Sequence, residues 1–212
     1  MSNEKDIQLF ESEFVKIKRE GADKLLNYIR NQSDFYTAPS STKYHLSCPG
    51  GLLRHSLNVL DAMRSLLVDK KDGTYVYMVA GKEVATISEE SLVIVTLLHD
   101  ICKTRFYTVE MRNKKIDGQW QEVPSYNVED QLPLGHGEKS VYMISSMMHL
   151  TLPEVMMIRW HMGMPDTYTE KNTFGTAVEK YPMIWALHTA DMQAAHFMEG
   201  ETGNKDAFTA EQ

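Results

Sequence analysis

SLVIVTLLHDICK, residues 91–103, decides how this chain folds. It is apolar nearly all round for two turns and then meets His99-Asp100, an ionisable pair where a buried helix wants neutral side chains. A helix with no polar face belongs in the centre of a core. Ser88-Glu89-Glu90 just before it supplies a cap and first-turn acids, which place the helix start. A buried unpaired aspartate is costly, and a shared cation is the commonest remedy.

Working outward, further ionisable residues fall on inward helical stripes. Upstream, Leu52, His55, Val59, Met63 and Leu66 step by three and four, so His55 lies on the inner face. Downstream, Ile184, Leu187, Ala194 and Met198 leave one position in their stripe to Asp191. Gly135-His136-Gly137 opens a helix, and Thr151-Leu152-Pro153-Glu154 is a capping-box start for a short helix ending at His161. Taken alone, His55 reads as a satisfied core histidine and His136 and His161 equally well as cap residues, whereas Asp191 makes the strongest individual argument, with pairing to Arg or Lys the lesser alternative to metal ligation. Five such positions on separate inward surfaces, the adjacent pair counted once, read as one metal site: His55, His99-Asp100, His136, His161 and Asp191.

The rest of the chain is helical with two extended interruptions. A helix is predicted over about 5–31 from Phe10, Phe14, Ile17, Leu25 and Ile29. TYVYMVA and EVATI alternate around Gly81 as a β-hairpin, and 105–128 reads as a second hairpin turning at Asp117-Gly118. The expected organisation is an N-terminal helix and loop (1–43) packed on a main helical unit (44–198). Insertions lie near 73–88 and 105–128, and a frayed polar tail covers 199–212. The predicted class is all-α with two short β insertions, which flank His99-Asp100 in sequence and would form a lid or substrate wall.

Bulk properties bound the function. The 212 residues, 42% hydrophobic and 24% charged, suit one soluble domain. Net charge −7 argues against a broad basic surface for long nucleic acid. The N-terminus lacks an apolar signal core and nothing reads as a membrane span, so a cytoplasmic protein is expected. Cys48 and Cys102 read as reduced core residues, and the sequence is compatible with a homo-oligomer.

The order His55, His99-Asp100, Asp191 resembles the HD superfamily of metal-dependent phosphohydrolases. GGLLRHSLNVL is similar to that family's entry helix, LLHDICK to its central helix and ALHTADMQAA to its closing helix, so the resemblance spans roughly 44–196. It implies an HD-domain helical bundle in which His55, His99, Asp100 and Asp191 hold one metal. His136 and His161 resemble the extra histidines of two-metal members, with Asp100 bridging. The chain departs at Cys102, often Gly in the family, and at Met162, sometimes His. His45 resembles an upstream histidine that would donate a proton to the leaving group, and Lys103 would reach a substrate phosphate.

The implied cofactor is one or two divalent transition metals, Mn²⁺, Fe²⁺, Co²⁺, Ni²⁺ or Zn²⁺, with Mg²⁺ compatible. The implied reaction is hydrolysis of a small phosphate ester such as a nucleotide by a metal-activated water, with Asp100, Lys103 and His45 as catalytic residues. A di-iron oxygenase on the same ligands and a silent nucleotide-binding module are the competing readings. Glu138 reads as a partner to the site or as solvated, and Lys139 as solvated.

Overall fold

The computed structural model describes residues 2–116, 118–165 and 167–199. Eight helices appear among them: α1 (Ser2–Phe14), α2 (Ala22–Asn31), α3 (Gly51–Leu66), α4 (Glu89–Leu98), α5 (His136–Ser145), α6 (Leu152–Trp160), α7 (Tyr168–Lys180) and α8 (Met183–Gln193). Strands β1 (Leu67–Asp69), β2 (Thr74–Val79) and β3 (Lys82–Ser88) form one antiparallel sheet. Strands β4 (Tyr107–Ile116) and β5 (Gln119–Val128) form another.

The chain is 50% helix and 19% strand, so the all-α expectation is overturned in favour of a mixed α/β composition. The reason lies at the end of α3. There the chain passes straight into β1, which pairs Leu67 with Tyr77 and Asp69 with Tyr75, turning the expected hairpin into a three-stranded meander. Val76 and Ile87 are buried, with Ile87 part of the central core.

α4 sits at the centre as its composition demands, with every side chain from Leu92 to Leu98 buried. The Ser88 hydroxyl accepts the Ser91 N–H, as the cap predicted. Thr96 is accommodated by donating its hydroxyl to the Leu92 carbonyl at 2.8 Å. α3 packs on α4 and on α8, which gathers the three helices bearing His55, His99 and Asp191.

α3 and α4 are joined through β1–β3, so that sheet caps the end of the pair away from His55 and His99. At 1.5 Å per residue, the ten residues of α4 put it roughly 15 Å from the donors. The lid expectation therefore fails for this insertion. The second insertion starts at Tyr107, four residues after Lys103, and at its base the Tyr107 hydroxyl donates to the Ser40 carbonyl.

Two helices differ from expectation. The predicted 5–31 helix breaks, because Gly21 takes φ +88 and lies against the Met147 carbonyl, where a Cβ would approach within 2.0 Å. No side chain fits there, so the junction closes only with glycine. α7 was not anticipated, although Phe174, Ala177 and Tyr181 carry a helical spacing that buries Phe174 and Ala177. Among the described residues no helix is long and apolar enough to cross a membrane.

Candidate metal centre

Local structure explains why His99 and Asp100 converge. Neighbouring residues in a helix point about 100° apart. α4 ends at Leu98, Asp100 leaves helical geometry (φ −107, ψ 15), and a 3-10 turn follows over Ile101–Lys103. The departure swings the carboxylate back until Asp100 Oδ2 lies 3.5 Å from His99 Nε2.

The two oxygens of Asp100 face different partners. Oδ2 is 3.5 Å from both His55 Nε2 and His99 Nε2. Oδ1 is 2.7 Å from His136 Nε2 and 3.4 Å from His161 Nε2. His55 Nε2 is also 3.2 Å from Asp191 Oδ1 and 3.3 Å from His99 Nε2. Donors held about 2.1 Å from one ion lie roughly 3.0–3.4 Å apart in octahedral or tetrahedral arrays; the separations around His55 and His99, 3.2–3.5 Å, come near this, while His136 at 2.7 Å stands at hydrogen-bond distance from Asp100. All six residues singled out in the sequence are thus brought together. His55, His99, Asp100, His161 and Asp191 are buried and positioned to hold a metal ion.

The hydrogen bonds around the rings fit that role. His99 Nδ1 lies 2.9 Å from the Thr96 carbonyl and His161 Nδ1 2.6 Å from the Ile158 carbonyl. A carbonyl can only accept, so each Nδ1 carries the proton and each Nε2 lone pair faces Asp100. His161 Nε2 is buried with no hydrogen-bond partner, a cost that a cation would remove. His55 Nδ1 bonds Glu199 Oε1 at 3.0 Å, and Asn58 donates to the same carboxylate at 2.9 Å. This is the carboxylate–histidine arrangement that orients metal-binding imidazoles.

The electrostatics agree. Burial pushes Asp100 up, but the Lys103 ammonium, with His99 and His136, outweighs it and holds the carboxyl well below the usual carboxylate range. Burial likewise opposes ionisation of Asp191, and its bond to His55 reverses that, so Asp191 is also strongly lowered. For His55, burial favours the neutral ring, yet bonds to Asp191 and Glu199 raise it to about 10. His99 goes the other way, pushed by burial to about 4 and hence neutral. Three buried carboxylates, Asp100, Asp191 and Glu199, therefore face Lys103 and a protonated His55, an excess of negative charge suited to a cation.

Other residues are placed differently from their sequence reading. Lys103 Nζ lies 2.6 Å from Asp100 Oδ2, an ion pair with a donor rather than a free reach outward. His45 groups with His55 and Glu199 rather than with Asp100, its ring centroid 4.9 Å from that of His55. Burial pushes it to about 4, so it is neutral near pH 7. Lys139 is buried, paired with Asp130 and set 4.7 Å over the Phe106 ring, so the solvated reading was wrong. Glu138 pairs with Arg159 at 2.5 Å. Cys102 is buried as expected, with its Sγ 3.3 Å from His136 Nδ1.

Glu199 was missed. It had been assigned to the frayed tail, yet it is 1% exposed and bonded to His55; residues 200–212 of that tail lie outside the described residues. A signal existed, since Glu199 follows Asp191 by eight residues and continues its stripe through Ala195. No family model, curated protein or solved structure matches this chain.

Proposed function

We propose that this chain is a metal-dependent phosphohydrolase of the HD type, acting on a phosphate ester of a nucleotide or similar small molecule. The observation that carries the reading is the division of Asp100, one oxygen toward His55 and His99 and the other toward His136 and His161. A carboxylate so divided would serve two ions at once, and two ions together would stabilise both the attacking and the leaving oxygen of a displacement at phosphorus. Divalent ions bound there would supply Lewis acidity to the phosphate and acidify water.

The protein's own residues account for the remainder. His55, His99, Asp191 and Asp100 Oδ2 would hold the first ion, and Asp100 Oδ1, His136 and His161 the second. Glu199 fixes the His55 ring, and the Thr96 and Ile158 carbonyls fix those of His99 and His161. Lys103, charged and paired with Asp100 Oδ2, would add a fixed cation that offsets charge developing on the substrate phosphate. His45, neutral at working pH, lines the site beside His55. The pairing of imidazole with carboxylate donors favours Mn²⁺, Fe²⁺, Co²⁺, Ni²⁺ or Zn²⁺.

The test is metal analysis of the purified protein followed by a phosphate-release screen over nucleotides. About two equivalents of transition metal and metal-dependent phosphate release are expected, both lost in Asp100→Ala. Asp100→Ala retaining metal and turnover would refute the reading. So would an iron-loaded protein that consumes oxygen and releases no phosphate, the outcome an oxygenase on the same ligands would give.

A further inference from the structure

A groove between α6 and α7, whose lining reaches Trp160 just before the donor His161, has no part in the proposed reaction. Its volume is about 530 Å³, inside the range of small-molecule pockets. Met156, Arg159 and Trp160 line one wall at helical spacing three and four, and Asn172, Thr173 and Lys180 belong to the facing side of α7. None of the six candidate metal donors lines it.

Its chemistry is selective. The Arg159 guanidinium lies 3.7 Å from the centroid of the Trp160 ring, a stacked cation on an aromatic face. Glu138 holds that guanidinium from one side at 2.5 Å, and a group with five N–H donors keeps others to offer. Lys180 closes α7 and pairs with no carboxylate among the described residues. Two cations and no acid line this groove, in a chain whose net charge is −7. The Asn172 side-chain amide, without a hydrogen-bond partner among the described residues, adds both donors and an acceptor. Trp160 itself is only 3% exposed beneath the guanidinium, so the surface left for a flat body is Met156 and the outer face of Arg159.

We propose that the α6–α7 groove binds a small anion with a flat aromatic body, of the nucleoside monophosphate class, at a site separate from the metal donors. The anionic group meets Lys180, and the ring system lies against Met156 and the Arg159 guanidinium that covers Trp160. Trp160 contacts Phe174 and Phe174 contacts Trp185, each with centroids 5.5 Å apart, so occupancy is read directly in tryptophan fluorescence. The inference does not rest on the catalytic reading.

The experiment titrates AMP into chelator-treated full-length protein, followed by tryptophan fluorescence and calorimetry. One AMP per chain is expected. Lys180→Glu, which reverses an exposed charge, and Thr173→Trp, which fills the groove, should each weaken AMP binding about tenfold or more. Both should keep the parent's circular dichroism and metal content. Adenosine and inorganic phosphate, each carrying half of the recognised chemistry, should also bind at least about tenfold more weakly than AMP. Asp100→Ala should bind AMP like the parent, whether or not the catalytic reading survives. No saturation up to about 1 mM AMP, undiminished binding in both groove variants, or loss of binding in Asp100→Ala would overturn the proposal.

Discussion

The two sides of Asp100 are built differently. On one side His55, His99 and Asp191 come from α3, α4 and α8, helices packed on one another at the centre, and their side chains are 1%, 0% and 6% exposed. On the other side His161 is fully buried, but His136 is 32% exposed at the first turn of α5. Close approach of α5 to α6 depends on Gly137, where a Cβ would come within 2.2 Å of the Arg159 carbonyl. The enclosed side is thus a product of core packing, while the open side is a rim held by one helix start. The enclosed side is suited to retaining an ion, and on the proposed function the open side is where a substrate would enter.

The sharpest way to break that contrast is to remove one donor from each side. Asp191→Asn should lower metal affinity about a thousandfold or more and abolish turnover, because the enclosed side loses its second carboxylate. His136→Ala should keep about one metal equivalent and still lose most turnover, since only the open side is emptied. Metal counting by mass spectrometry, paired with phosphate release, separates the two. Equal metal loss in both variants would show that the sides are one unit.

A pH series sharpens it next. His55, with its pKa raised to about 10 in the metal-free chain, must surrender a proton before Nε2 can ligate. Apparent affinity at the enclosed side should rise about tenfold per pH unit between about pH 6 and 8. The same raised pKa carries a stability consequence. Its contribution to the metal-free fold is fully present below the unfolded value near 6.5 and is lost as pH rises toward 10. Asp191, with its pKa depressed, behaves in the opposite sense: its contribution is present above the unfolded value near 3.8 and is lost as pH falls below it. Calorimetric metal titrations and melting of chelated protein measure both effects, and a flat affinity between about pH 6 and 8 would remove His55 from the ligand set.

The smallest expected effect concerns ring orientation. Glu199→Gln keeps the shape but weakens the carboxylate–imidazole bond to His55, and metal affinity should fall about 10- to 100-fold, confined to the enclosed side. Competition with a coloured chelator reads it. An unchanged affinity would make Glu199 a packing residue only.

Much of this was legible in the chain, and the legible parts share a cause. The buried α4, the Ser88 cap, the Thr151–Glu154 capping box and the inward stripes with His55 and Asp191 all follow from interactions within one or two helical turns. Such short-range rules act on neighbours and leave their period in the residues. Much of what went unread involved partners far away in sequence: the break at Gly21 against Met147, Lys139 drawn over Phe106, and Glu199 returning across 144 residues to His55; β1 is the exception, pairing with a strand only six to ten residues on.

The residues alone therefore determined which donors exist and which face of each helix carries them, because period and capping are local. Only the tertiary structure decided that Asp100 would turn one oxygen to each side, that one insertion would sit far from the donors, and that Glu199 would brace His55. Those outcomes depend on how helices distant in the chain close on each other, and no local pattern encodes that closure.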